Sequence, residues 1–129
     1  MNERIEQELA LLRTVYPDLE WYPDTFWVRI PSYALPNGVW KQSEIELAFQ
    51  MPQNLPGQQP YGFWVRPSLE LADGRAPNNY TFPASIPLGA DWGQFSWSPM
   101  VWQPQAEITV GSNMLNFVRS IADRLREGA

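Results

Sequence analysis

Neither cysteine nor histidine occurs anywhere in the 129-residue sequence. Without cysteine there is no thiol nucleophile, no disulfide and no zinc–thiolate centre. Without histidine the commonest general base and the commonest neutral metal ligand are gone. Basic charge is scarce as well: nine Lys and Arg stand against fourteen Asp and Glu, a net charge of −5. Phosphate backbones attract basic surfaces, so no nucleic-acid partner is expected. No apolar run approaches the length needed to span a bilayer. The opening Met1-Asn2-Glu3-Arg4-Ile5-Glu6 is charged, reads as helical and lacks the apolar region of a signal peptide. The expectation is a cytoplasmic chain with no membrane partner. Carboxylates, Lys41, hydroxyls and backbone are all that remain for chemistry, and no catalytic, cofactor-binding or metal-binding residue is expected.

What is abundant is apolar and aromatic. The hydrophobic fraction is 44%, with seven tryptophans and thirteen prolines. That is enough for one folded domain over residues 1–129. Ile5, Leu9, Leu12 and Val15 are spaced by four, three and three, which predicts a helix over 3–15. Tyr16-Pro17-Asp18 stops it, because the residue before a proline avoids helical geometry. Phe26-Trp27-Val28-Arg29-Ile30 reads as a strand. Pro36-Asn37-Gly38 signals a turn, and Val39 to Met51 alternates Ile45, Leu47 and Phe49 with Glu44, Glu46 and Gln50, a half-buried strand. These two strands form a predicted hairpin, with both glutamates facing solvent. Three prolines in residues 52–60 exclude a sheet interior and predict a structural loop. Tyr61 to Val65 is the third strand, and Leu69 to Gly74 ends in a turn. Residues 76–91, with Pro77, Pro83 and Pro87, show no periodicity and read as irregular. The tryptophan-rich stretch from Trp92 to Trp102 has room for one short strand. A last helix carries Met114, Leu115, Phe117, Val118, Ile121, Ala122 and Leu125, with Thr109 or Ser112 as its cap. Arg119, Arg124 and Arg126 complement its dipole. The order is helix, three strands, an irregular stretch, helix: an α+β domain with helices packed on an antiparallel meander.

Several short segments resemble one superfamily, in matching order. Leu11-Leu12-Arg13-Thr14-Val15-Tyr16-Pro17 is similar to the end of the first helix in RWD domains. Asn54 to Val65 resembles the proline-bearing loop before the third strand of ubiquitin-conjugating enzymes. Leu71-Ala72-Asp73-Gly74-Arg75-Ala76-Pro77 and Trp92-Gly93-Gln94-Phe95-Ser96-Trp97 are closer to a bacterial branch, the prokaryotic ubiquitin-conjugating-like proteins of family E. The resemblance spans roughly residues 10–127. It implies a fold like that of the ubiquitin-conjugating enzymes. In that superfamily the active cysteine precedes a tryptophan-x-proline element, which Trp102-Gln103-Pro104 matches. Counting back implies a cysteine-equivalent position near Trp92 to Gln94, where no residue can form a thioester. The asparagine-bearing region upstream is matched only by Asn78 or Asn79, a vestigial active-site loop with no nucleophile to serve.

The resemblance therefore implies a non-catalytic domain that binds a ubiquitin-like protein or an activating-enzyme-like protein as an adaptor. Tryptophan is enriched at binding hot spots. Trp27 and Trp64 lie in apolar strand runs and are expected in the core. Trp92, Gln94, Phe95, Trp97 and Trp102 surround the former active-site position and are expected to form the partner-facing patch. A second reading is a conjugating enzyme whose cysteine is replaced or whose nucleophile is Ser96 or Ser98. A third is a carbohydrate-binding module, which requires coplanar exposed aromatics with flanking amides and a secretory signal; the opening residues show no such signal, which counts against it. Asp73 and Asp91 read as turn and loop residues rather than as an acid–base or metal pair, and Lys41 as a surface lysine.

Overall fold

The apolar stripe of the first segment folds as α1 (Glu3–Val15), with Ile5, Leu9 and Leu12 buried. Six strands follow: β1 (Glu20–Tyr22), β2 (Trp27–Ala34), β3 (Glu44–Gln50), β4 (Phe63–Arg66), β5 (Tyr80–Ile86) and β6 (Gly89–Phe95). Helix α2 (Met114–Glu127) closes the chain. This computed structural model describes residues 3–98 and 101–128. Met1 and Asn2 of the charged opening, and residues 99 and 100 of the tryptophan-rich stretch, lie outside them.

The strands form one antiparallel sheet in the order β1-β2-β3-β4-β6-β5. Alternation along each strand splits the sheet into two faces. Val28 pairs with Phe49, Leu47 with Val65, and Phe63 with Phe95. These side chains meet α1 and α2 in the main core. Each such fully buried Leu, Val or Phe contributes on the order of 1.5–3 kcal/mol relative to an exposed one. Two buried tyrosine and tryptophan handles pin α2 to the sheet side: Tyr33 Oη donates to the Val118 carbonyl at 3.0 Å, and Trp40 Nε1 to the Leu125 carbonyl at 2.9 Å.

The structure corrects several sequence expectations. The segment 76–91 is not irregular. It supplies β5 and the start of β6, joined through Pro87-Leu88. Pro83 is tolerated because β5 is the sheet's outermost strand, with only β6 beside it. Its mostly exposed side chains and two register shifts explain why no period-two signal survives. Strand β1 is too short to carry a pattern. The strand expected from residue 39 begins at Glu44, although Trp40 makes an isolated bridge to Leu71. The cap of α2 is Asn113, which forms a reciprocal capping box with Asn116. Ser112 Oγ instead accepts from the Gln103 amide at 2.9 Å.

Candidate functional site

The segment expected to hold the cysteine-equivalent position lies within β6, between β4 and β5. Trp92 points to the outer sheet face and is fully buried. It is covered by Ile86 and Leu88 from the hairpin end and by the Arg66 guanidinium, 4.3 Å above its ring. Its Nε1 is buried without a hydrogen-bond partner. Gly93 points to the inner face, where the Tyr80 hydroxyl fills the space a side chain would take. That hydroxyl accepts from the Leu69 amide at 3.0 Å and bonds Ser68 Oγ at 2.8 Å. Gln94 is half-buried on the outer face, opposite Trp64. The segment is thus an interior sheet strand and carries no loop on which a nucleophile could sit.

Phe95 is also fully buried, stacked on Phe63 at 4.7 Å and beside Tyr80 at 4.8 Å. The partner-facing position expected for Trp92 and Phe95 is therefore corrected: both are interior, because β6 is flanked on both sides and covered on both faces. Trp27 is buried as expected, but on the outer face, where Trp64 meets it edge-on at 4.8 Å. Trp64 is only half-buried.

Glu46 does more than face solvent. Its carboxylate accepts from Arg66 Nε at 2.7 Å and from Arg29 Nε at 2.8 Å, and Arg29 continues to Glu20 at 2.8 Å. The result is a row of alternating charges across β1, β2, β3 and β4. The Arg66 hydrogen bonds, aided by Arg29 and opposed by partial burial, hold the Glu46 carboxyl below its ordinary value.

Trp97 and Trp102 are brought together. With Val101 they form one wall of a cleft of about 370 Å³, and Phe117, Ser120 and Arg124 of α2 form the other. Trp97 packs 5.9 Å from both Phe63 and Phe117, so its ring is fixed while one side remains open. Trp102 Nε1 donates to the Pro56 carbonyl at 3.0 Å, tying this wall to the proline loop. Val101 is 60% exposed. Arg124, in the last turn of α2, does more than complement the helix dipole. It is buried, lies 5.0 Å over the Phe95 ring and donates to the carbonyls of Gly128 and Asn78 at 3.0 and 2.9 Å. Burial pushes its pKa below the ordinary arginine value. The α2 contribution to the cleft escapes sequence reading because Phe117, Ser120 and Arg124 share a face with the helix's core stripe.

Asn78 and Asn79 are exposed. Asn78 contributes its carbonyl to Arg124, and Asn79 adopts φ 56, the left-handed geometry asparagine tolerates, where the chain turns into β5. Ser98 lines the aromatic cleft; Ser96 does not, and its amide donates to the Asn79 carbonyl. Neither serine hydroxyl hydrogen-bonds to a base among the described residues. Asp73 binds the Arg75 amide and guanidinium within its turn, and Lys41 pairs with Glu70 at the surface. Among the described residues no cluster of His, Cys, Asp or Glu could hold a metal ion, and no helix is long and apolar enough to cross a membrane.

No curated protein and no solved structure matches this chain. A protein-family model does: that of prokaryotic E2 family E, which matches residues 6–126. The helix–sheet–helix order and the antiparallel sheet are consistent with the fold of ubiquitin-conjugating (E2) enzymes. The match takes in both helices but for their outermost residues, every strand and the aromatic cleft, and the chain therefore belongs to prokaryotic E2 family E.

Proposed function

We propose that this E2-like domain is a non-catalytic adaptor that binds a component of a bacterial ubiquitin-like conjugation system. The observation that carries the reading is the Gly93–Tyr80 contact. At the segment where the family's thioester residue is expected, the inner face is filled by a tyrosine and the outer face by a buried tryptophan. Transfer chemistry has no nucleophile there, whereas binding needs none. The partner surface is the cleft of Trp97, Val101 and Trp102 against α2. It combines rigid aromatic rings with exposed apolar area, the composition of an interface hot spot. The partner is a ubiquitin-like protein or an activating-enzyme-like protein.

The test is a pull-down with the tagged domain against the ubiquitin-like, activating-enzyme-like and protease-like proteins encoded beside it. Trp102→Ala and Val101→Asp should each weaken capture at least tenfold while the thermal midpoint shows the domain still folded. Val101→Asp is the cleaner probe, since its side chain is largely solvent-exposed. Capture that neither change affects moves the interface off this cleft. Capture of none of these proteins by the folded domain removes the adaptor reading.

A further inference from the structure

A second cleft, of about 450 Å³, opens where β3 ends and the proline loop returns to β4. Its lining differs from the first in kind. Five carboxamide-bearing residues line it: Gln50, Gln53, Asn54, Gln58 and Gln59. Two aromatic rings, Tyr61 and Trp64, stand beside them over a floor of buried Met51 and Pro52. No Asp, Glu, Lys or Arg lines it, although the chain carries 23 such residues.

The rings are placed differently from each other. Trp64 is held edge-on by Trp27 at 4.8 Å, and the chain turns beside its ring at Gly62, whose φ of 79 favours glycine. Tyr61 is 64% exposed, the most exposed of the large apolar side chains among the described residues. Two amides are already oriented: Gln50 Nε2 donates to the Thr25 carbonyl at 3.1 Å, and Gln58 Oε1 accepts from the Asn54 amide at 3.4 Å.

This chemistry selects a ligand class. With no fixed charge in the lining, an ionic ligand would lose hydration without compensation, so the ligand is neutral. A carboxamide both donates and accepts, which matches groups that do the same, above all hydroxyls. An aromatic face offers contact to a ring of C–H groups. A peptide adding as a strand would need a free sheet edge, but β3 and β4 are each paired on both sides. The volume lies within the range of small-ligand sites. We propose that this cleft binds a short neutral oligosaccharide, with Tyr61 and Trp64 as stacking surfaces and the carboxamides of Gln53, Asn54 and Gln58 holding its hydroxyls. This activity is separate from the adaptor reading and does not depend on it.

The test is an NMR titration of the intact domain with neutral tetrasaccharides of glucose, mannose and N-acetylglucosamine. An acidic glycosaminoglycan tetrasaccharide and a proline-rich peptide serve as the competing ligands. The expected result is saturable shifts of the Gln53, Asn54 and Gln58 side-chain amides and of the Trp64 indole N–H with a neutral sugar. Tyr61→Ala should weaken that binding at least tenfold, Gln53→Ala should weaken it too, and Val101→Asp in the other cleft should leave it unchanged. All three side chains changed are exposed, so the fold persists. Saturable shifts with none of the neutral sugars, or with the acidic sugar or the peptide instead, would overturn the proposal.

Discussion

The hydroxyl of Tyr80 occupies the place where a side chain at position 93 would begin. One residue thus explains another: β6 carries a glycine because β5 delivers a tyrosine across it. The same hydroxyl is the acceptor for the buried Leu69 amide. Gly93→Ala should destabilise the domain by about 1–3 kcal/mol through overpacking. Tyr80→Phe should cost about 1–3 kcal/mol, because it leaves the Leu69 amide without an acceptor. Urea denaturation of both variants checks this. A neutral Gly93→Ala would mean that the tyrosine moves aside easily, and position 93 could then hold a reactive side chain.

A buried carboxylate joins the two helices. Glu8 is fully buried, pairs with Arg4 at 3.0 Å and accepts from the Met114 amide at the start of α2 at 2.8 Å. A negative charge there also complements the positive end of α2. Glu8→Ala should cost about 3–5 kcal/mol, since it leaves the Met114 amide without its acceptor and Arg4 without its counter-charge, though Arg4 keeps its bonds to the Gln105 and Ser112 carbonyls. Glu8→Gln, which retains an acceptor, should cost less. Equal losses for the two variants would show that packing, and not the bonds, sets the cost.

Acid sensitivity should have a component at Glu46. Its folded pKa is depressed, chiefly by its hydrogen bonds to Arg66. Its stabilising contribution is therefore complete above the ordinary carboxyl value of 4.5 and is lost as pH falls through the lower folded value. The thermal midpoint of Glu46→Gln should lie below that of the native protein at about pH 6, and the two should converge as pH drops into that window. A gap between them that stays constant with pH would place the effect outside this titration.

Much of the fold was legible because its elements carry strong local patterns. The 3.6-residue spacing of Ile5, Leu9 and Leu12 places α1, and the alternation at Ile45, Leu47 and Phe49 places β3. The β5–β6 hairpin was hidden because edge position, and not sequence pattern, is what allows Pro83 in a strand. Of the five residues expected to face a partner, Trp97 and Trp102 line an open cleft, Gln94 lies half-buried on the outer face, and Trp92 and Phe95 are interior. Tryptophan content alone could not separate them. Much of what buries Trp92 is distant in sequence: Trp27 of β2 and Arg66 of β4. The dipole role of Arg124 was legible, but its burial was not: Asn78 and the Phe95 ring, which it also meets, come from distant segments.

Loss of transfer chemistry with retention of binding is tested most directly by incubating the domain with ATP and with the activating-enzyme-like and ubiquitin-like proteins encoded beside it. Products are resolved on denaturing gels with and without thiol and hydroxylamine, and complexes by size-exclusion chromatography. The account predicts a non-covalent complex that Val101→Asp weakens, and no covalent adduct on the domain under any condition. A hydroxylamine-sensitive, thiol-resistant adduct that disappears in Ser98→Ala or Ser96→Ala would contradict it and establish an enzyme acting through a serine ester.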